Sequence, residues 1–445
     1  MKEQIQLSDH FTYRRLIQFT LPSICMMIFT SIYGMVDGFF ISNIVGETAF
    51  ASVNLIIPFL QILGGVGAML GVGGSALVAK TLGEGDITRA RRYFTMMMYL
   101  MLGTSIFFTI VGIAVLRPVA YLFGATDAMI GDVMTYGTIC LLFNTALQAQ
   151  YTFQSYLIVA EKPTFALTVV IAAGVSNMVL DYLLMAVIPM GIAGAALATG
   201  LSQCVAGVLP FVWFLSKKNQ SALRFTRTNF ELKPMLLACA NGASEMMSSV
   251  SGSITGILYN LQLMKYAGED GVAAYGVVMY AAFVFLGVFN GYSQGSSPIM
   301  GYHYGAQNHK EMKNVLKRSL IILGSAAIVL TALAVLLARP LSAVFVGYDA
   351  ELLDMTARAF TICATPFLVM WFNMYTSCFF TALNDGAVSA AISFMRALVL
   401  PVICIIVLPM IWELDGVWYS LVGSEILGVF VSLYFMIGKR KKYHY

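Results

Sequence analysis

The sequence predicts an all-α polytopic membrane protein: twelve transmembrane helices in two parallel six-helix pseudo-repeat lobes. Three observations carry this. The 445 residues are 59% hydrophobic and only 11% charged, too few charges to cover a water-exposed surface, for which about 25% is usual. The apolar residues gather into runs of about 20 or more, the length that crosses ~30 Å of hydrocarbon. The chain also repeats itself at an offset of 222 residues.

The runs cover residues 16–41, 50–79, 93–116, 131–157, 163–187, 191–215, 234–260, 272–301, 316–338, 355–382, 387–410 and 416–437. They do not alternate polar and apolar residues as barrel strands do, so they read as helices. Turn-forming residues mark the sharpest boundaries, at 83–86, 189–191, 305–308 and 384–386. Residues 1–15 are polar, and no small-residue cleavage site follows a short apolar core, so the first run reads as a span. The seven cysteines lie in apolar runs without metal-ligand spacing and read as packing residues. His303 and His309, beside Lys310, read as solvated loop residues.

Basic residues set the orientation. Of 26 Lys and Arg, 21 fall on one side: Lys2, Arg14 and Arg15, the loops around 80–92, 162, 217–233 and 310–318, and the tail 439–442. The other side carries acids, among them Glu47, Asp127, Glu269 and Asp349. Both termini are therefore expected in the cytoplasm, with the chain a multi-pass protein of the plasma membrane and lipid its main solvent. The net charge of +4 is small and spread over loops, which argues against a nucleic-acid partner.

The repeat is read residue by residue. Gly46 and Glu47 meet Gly268 and Glu269, Gly73 meets Gly295, Gly83 meets Gly305, and Arg117 and Pro118 meet Arg339 and Pro340. With one residue slipped, Thr138, Ile139 and Cys140 meet Thr361, Ile362 and Cys363. Two lobes are expected, 1–222 carrying a cation site and 223–445. Each has six spans, an even number, so the copies share one orientation and flank a cleft. Rocking one lobe on the other would open that cleft alternately to the two sides, as a secondary transporter does. No filter-like loop suggests a channel, and no P-loop suggests direct use of ATP. No catalytic constellation suggests an enzyme, and no cofactor is expected beyond Na⁺ as a candidate coupling ion.

Five ionisable residues lie at membrane depth: Asp37, Asp181, Glu245, Arg396 and Glu425. Such groups are costly in lipid and mark function. Tyr33 and Asp37 are four apart, as are Asn177 and Asp181, so each pair shares a helix face. Asp181 stands nine residues before the turn at Met190 and Thr199 nine after, which puts both about 13 Å from it. Two carboxylates, an amide and a hydroxyl are hard-oxygen ligands for Na⁺, or a pair able to share a proton. The offset partners of Asp37, Asp181 and Thr199 are Tyr259, Ile403 and Leu421, so the site is private to the first half. Arg396 and Glu425, on adjacent antiparallel helices, read as a structural ion pair. Glu245, Gln150, Gln154, Asn373 and Tyr33 are candidates to line the substrate cleft.

These residues resemble a known family. The Asp37 segment V-D-G-F-F-I-S, Gly83 to Asp86 followed by Arg89-Ala90-Arg91-Arg92, Glu161-Lys162-Pro163, Asn177-x-x-x-Asp181 and the G-I-A-G-A-A-L-A-T run ending at Thr199 are similar to those of the MATE (multidrug and toxic compound extrusion) transporters. The resemblance runs from end to end. It implies a prokaryotic exporter that exchanges H⁺ or Na⁺ for drug-like organic cations and works as a monomer. The DinF-like type has an N-lobe cation site, which falls here on Asp37, Asn177, Asp181 and Thr199. The NorM-like branch carries acids in spans 7 and 10; here span 7 has Glu245, but span 10 has Asn373. A lipid-linked glycan flippase of the same broad superfamily is the alternative. Its pyrophosphate cargo calls for clustered Arg, and the interior has one Arg against four acids.

Overall fold

A computed structural model describes residues 5–347 and 349–445; Lys2 lies outside the described residues. Among the described residues the regular structure is all helical, with a non-helical arm before α1 and a link at 216–231 between the halves. The first half contains α1 (Tyr13–Phe40), α2 (Glu47–Gly83), α3 (Ile87–Leu122), α4 (Ile130–Leu142), α5 (Asn144–Val159), α6 (Pro163–Asp181) and α7 (Ile192–Leu215). The second contains α8 (Leu232–Gly305), α9 (His309–Val346), α10 (Ala350–Ala364), α11 (Phe367–Ala382), α12 (Gly386–Phe394), α13 (Leu400–Val407) and α14 (Pro409–Tyr443). Wider π turns follow α1 (Ile41–Val45), follow α6 (Tyr182–Val187) and join α12 to α13 (Met395–Val399).

Among the described residues nine helices are long and apolar enough to cross a membrane, and two bent pairs, α4 with α5 (53°) and α10 with α11 (47°), each supply one more. The 74-residue α8 is interrupted at Gly268, whose φ of 61° and ψ of −148° are not helical, so it comprises two spans. The twelve expected spans are thus present, several of them broken. Large side chains such as Leu336, Val344 and Ile437 are exposed on them; lipid, not water, is the solvent that this belt suits.

The repeat is visible in the backbone. Left-handed residues recur at the offset: Gly46 (φ 122°) with Gly268 (61°), Gly85 (84°) with Gln307 (56°), and Gly191 (60°) with Glu413 (47°). Glu161 and Asn384, both at φ 59°, pair with one residue slipped. The caps recur as well: Asp86 accepts from Arg89 N at 2.9 Å, and its counterpart Asn308 accepts from Glu311 N at 3.1 Å.

The lobes meet where α1 and α2 pack on α8. Small residues let the backbones touch. A Cβ on Gly83 would strike the Tyr302 carbonyl, and one on its counterpart Gly305 would strike the Lys80 carbonyl. Likewise Gly73 and Gly242 abut, and their counterparts Gly295 and Thr20 abut. These crossings close the end of the molecule that bears both termini.

The N-terminal arm seals the same end. Leu7 N donates to Glu161 Oε1 at 2.7 Å, which ties the arm to the first lobe. Phe11 N donates to Glu311 Oε1 at 2.9 Å, and His10 Nδ1 lies 2.7 Å from Glu311 Oε2, which ties it to the second. Arg318 Nη1 donates to Phe11 O at 2.7 Å. Phe11 is fully buried, edge-on to His303. The expectation of a solvated His303 is therefore corrected: it is 2% exposed, packed under the arm. His309 is half-buried beside the His444 ring. Glu311→Ala removes the acceptor shared by two arm residues. Limited tryptic digestion at Arg14 and Arg15 should then become several times faster; an unchanged rate would mean that Leu7 and Phe11 hold the arm without it.

Candidate functional site

Asp37 sits one turn before the π turn that ends α1, and Asp181 is the last residue of α6, directly before another. Widened turns of this kind often occur at functional sites. Gly174 of α6 lies under Phe29 and Tyr33 of α1, where a Cβ would strike the Phe29 ring. That close approach two turns earlier brings Asp181 beside Asp37, and the two carboxyls act on each other directly.

Asp181 and Asn177 are buried; Asp37 and Thr199 are half-buried. Asp37 Oδ1, Asn177 Oδ1, both Asp181 oxygens and Thr199 Oγ1 are all shielded from solvent and have no geometrically well-formed hydrogen bond among the described residues. Buried oxygens left so are costly, about 1–3 kcal/mol each and more if charged. No Lys or Arg forms an ion pair with either acid among the described residues. Tyr136 of α4 adjoins Thr199 and Cys140, and Tyr33 adjoins Gln150. Two adjacent carboxylates and an amide oxygen with no cationic donor facing them among the described residues suit a cation or an added proton.

Three cavities lie in the interior, and one of them reaches this cluster at Thr199. One of about 150 Å³ lies inside the first lobe and is lined by Tyr136, Cys140, Thr199, Gln203 and Gln61. A second, about 240 Å³, lies between the lobes and brings together Glu245, Gln154, Gln294, Ser249 and Gln61. The largest, about 840 Å³, lies between the lobes in the half away from the termini; Asn54, Gln61, Ser249, Asn260, Arg396 and Glu425 are on its walls. Gln61 lines all three, so it stands where the routes to Glu245, to Thr199 and to the large cavity converge. Gln61, Asn54 and Gln294 are among the polar residues that sequence reasoning overlooked, with Gln203, Ser249 and Asn260. Asn54 and Gln61 are seven apart in an apolar run, hence on one helix face, and that was the available signal.

The remaining candidates divide. Gln154 and Glu245 share the second cavity. Gln150 is instead buried against Tyr33, on the α1 side of α5. Asn373, expected in the cleft, is fully buried behind it: its Nδ2 donates to Glu425 Oε2 at 2.8 Å and to Glu425 O at 3.0 Å, and it accepts from Ser432 Oγ at 2.8 Å. Gly428 lies against its amide and makes the room. Arg396 Nε donates to Glu425 at 3.0 and 3.2 Å. Asn373 thus belongs to the network that holds this ion pair.

The MatE family pattern matches residues 22–183 and 246–406, once in each half. The chain is similar to the multidrug export protein MepA of Staphylococcus saprophyticus, 21% identical over 93% of this chain and 91% of that one. Its fold matches a crystal structure of MATE in complex with MaL6, with a TM-score of 0.92 and 20% identity over 100% and 99% of the chains. It matches equally an outward-facing multidrug resistance MATE family transporter of the MOP superfamily, with a TM-score of 0.92 and 20% identity over 100% and 98%.

Proposed function

The chain belongs to the MatE family of membrane transporters and is not an enzyme, and from that premise we propose that it exports drug-like organic cations in exchange for H⁺ or Na⁺ by alternating access. The observation that carries this reading is the cluster of shielded oxygens on Asp37, Asn177, Asp181 and Thr199, with no Lys or Arg beside it among the described residues. Two adjacent carboxylates in a low-dielectric interior repel, so at least one must hold a proton or share a metal cation. Filling or emptying the cluster changes the charge beside α1. This helix packs both on α6, which carries Asp181, and on α8 of the other lobe. Coupling to lobe motion is thereby assigned to α1. The relatives' export of drugs agrees with a cavity of about 840 Å³ between the lobes, within the range that takes drug-sized molecules.

In this reading the lobes divide at 222/223, the terminus-bearing end is cytoplasmic, and the chain works as a monomer in the plasma membrane. With that orientation the closed end faces the cytoplasm and the large cavity lies in the outer half. The test is export of ethidium from proteoliposomes with Na⁺ and pH gradients imposed separately. A response to one of them is expected; indifference to both would overturn the reading.

Glu245 makes no ion pair among the described residues and lines the cavity that adjoins the large one through Gln61. We assign it the role of substrate counter-ion. Glu245→Gln should weaken export of cationic compounds about tenfold more than that of neutral ones, since one charge is removed from a site of low dielectric. Equal loss for both classes, at normal protein abundance, would leave Glu245 a structural role only.

A further inference from the structure

We propose that the second lobe's wall of the large cavity is an oxyanion-recognising subsite built on Arg396, which takes the carboxylate of an amphipathic zwitterion; this rests on the export function proposed above. Arg396 lies in the π turn Met395–Val399. Pro401, four residues past Ala397, has no N–H to give to the Ala397 carbonyl. Thr255 Oγ1 of α8 donates to that carbonyl instead, at 2.9 Å. The widened turn is thus pinned to α8, and with it the direction of the Arg396 side chain.

The ion pair is lopsided. Glu425 is held back, with Asn373 on one oxygen and only 7% of its side chain exposed, whereas Arg396 is 20% exposed. Arg396 engages Glu425 through Nε alone. A guanidinium has five N–H donors in a rigid fork, and those on Nη1 and Nη2 have no hydrogen-bond partner among the described residues. Both side chains line the cavity, but the positive end is the more exposed of the two and has free donors, while the negative end is occupied by Asn373 and Arg396. Two parallel N–H groups on one edge match the two oxygens of a carboxylate. Phe283, Met279 and Phe367 supply apolar wall nearby. Ser249 and Gln61 join this cavity to the one that holds Glu245. A molecule with a carboxylate at one end and a cationic nitrogen at the other meets a complementary group at each.

The test compares a zwitterionic rhodamine bearing a free carboxylate with its ethyl ester. Binding to the full chain in lipid nanodiscs is read by fluorescence anisotropy. The double variant Arg396→Gln/Glu425→Gln removes the fork without leaving a lone buried charge. It should weaken the zwitterion about tenfold relative to the ester, the scale of one charge-assisted hydrogen bond. Arg396→Lys, which keeps the charge and loses the fork, should fall between. Ester binding reports an intact cleft in each variant. An equal change for both dyes, or no change for the zwitterion, would overturn the subsite and leave the export reading standing. Failure of the wild-type protein to bind either dye would overturn both.

Discussion

Asp37→Asn should insert normally, accumulate to wild-type levels and lose gradient-driven export of ethidium down to the background of empty vesicles. The amide keeps the shape of the side chain but cannot ionise. At this site the loss is decisive, because Asp37 and Asp181 act on one another and no Lys or Arg compensates either among the described residues. A single remaining carboxylate has no neighbour to exchange a proton with, and half the charge needed to strip water from Na⁺ is gone. Asp181→Asn should behave the same way. Thr199→Ala should be milder, a loss of a few-fold, since a hydroxyl contributes one neutral ligand. Transport in vesicles under an imposed gradient, normalised to protein content, checks all three. Wild-type export by Asp37→Asn would place the coupling site elsewhere.

The second large effect concerns stability. Arg396→Gln or Glu425→Gln alone leaves one buried charge without its partner, and each should destabilise the protein by about 3–5 kcal/mol. The double variant should recover most of this loss. In it Asn373 keeps a hydrogen-bond acceptor in the amide that replaces Glu425, so its contact at 2.8 Å has a neutral equivalent. Thermal unfolding in detergent, read as a shift in Tm, distinguishes the outcomes. A double variant as unstable as the worse single one would show that the 3.0 Å contact carries no coupling energy.

What was legible in the sequence is what lipid makes conspicuous. Asp37 and Asp181 stand out because an acid in an apolar run has few reasons to be there, and Asn177 follows from helical spacing. Thr199 follows from counting equal distances either side of one turn. The repeat was visible because the same glycines are needed where backbones touch: Gly83 and Gly305 each lie against a carbonyl of the other's helix. What was hidden depends on long-range encounters. His303 is buried because Phe11, nearly 300 residues away in sequence, docks on it. Asn373 looks like a cleft residue until Glu425 is seen beside it. The bends were hidden too. One is at Pro366, where a proline explains it, but the matching bend at Phe143 has none, and there tertiary packing decides. Gln61 was missed because a lone amide in a membrane helix says nothing of the three cavities it joins.

The central claim is that the oxygens of Asp37, Asn177, Asp181 and Thr199 bind and exchange the cation that drives export. The most direct test counts cations entering vesicles per molecule of substrate exported, with radiolabelled Na⁺ and a pH-reporting dye in the same preparation. The wild-type protein should take up one of the two in fixed proportion to export, and Asp37→Asn/Asp181→Asn should take up neither. Cation entry by the double variant in the wild-type proportion would contradict the claim.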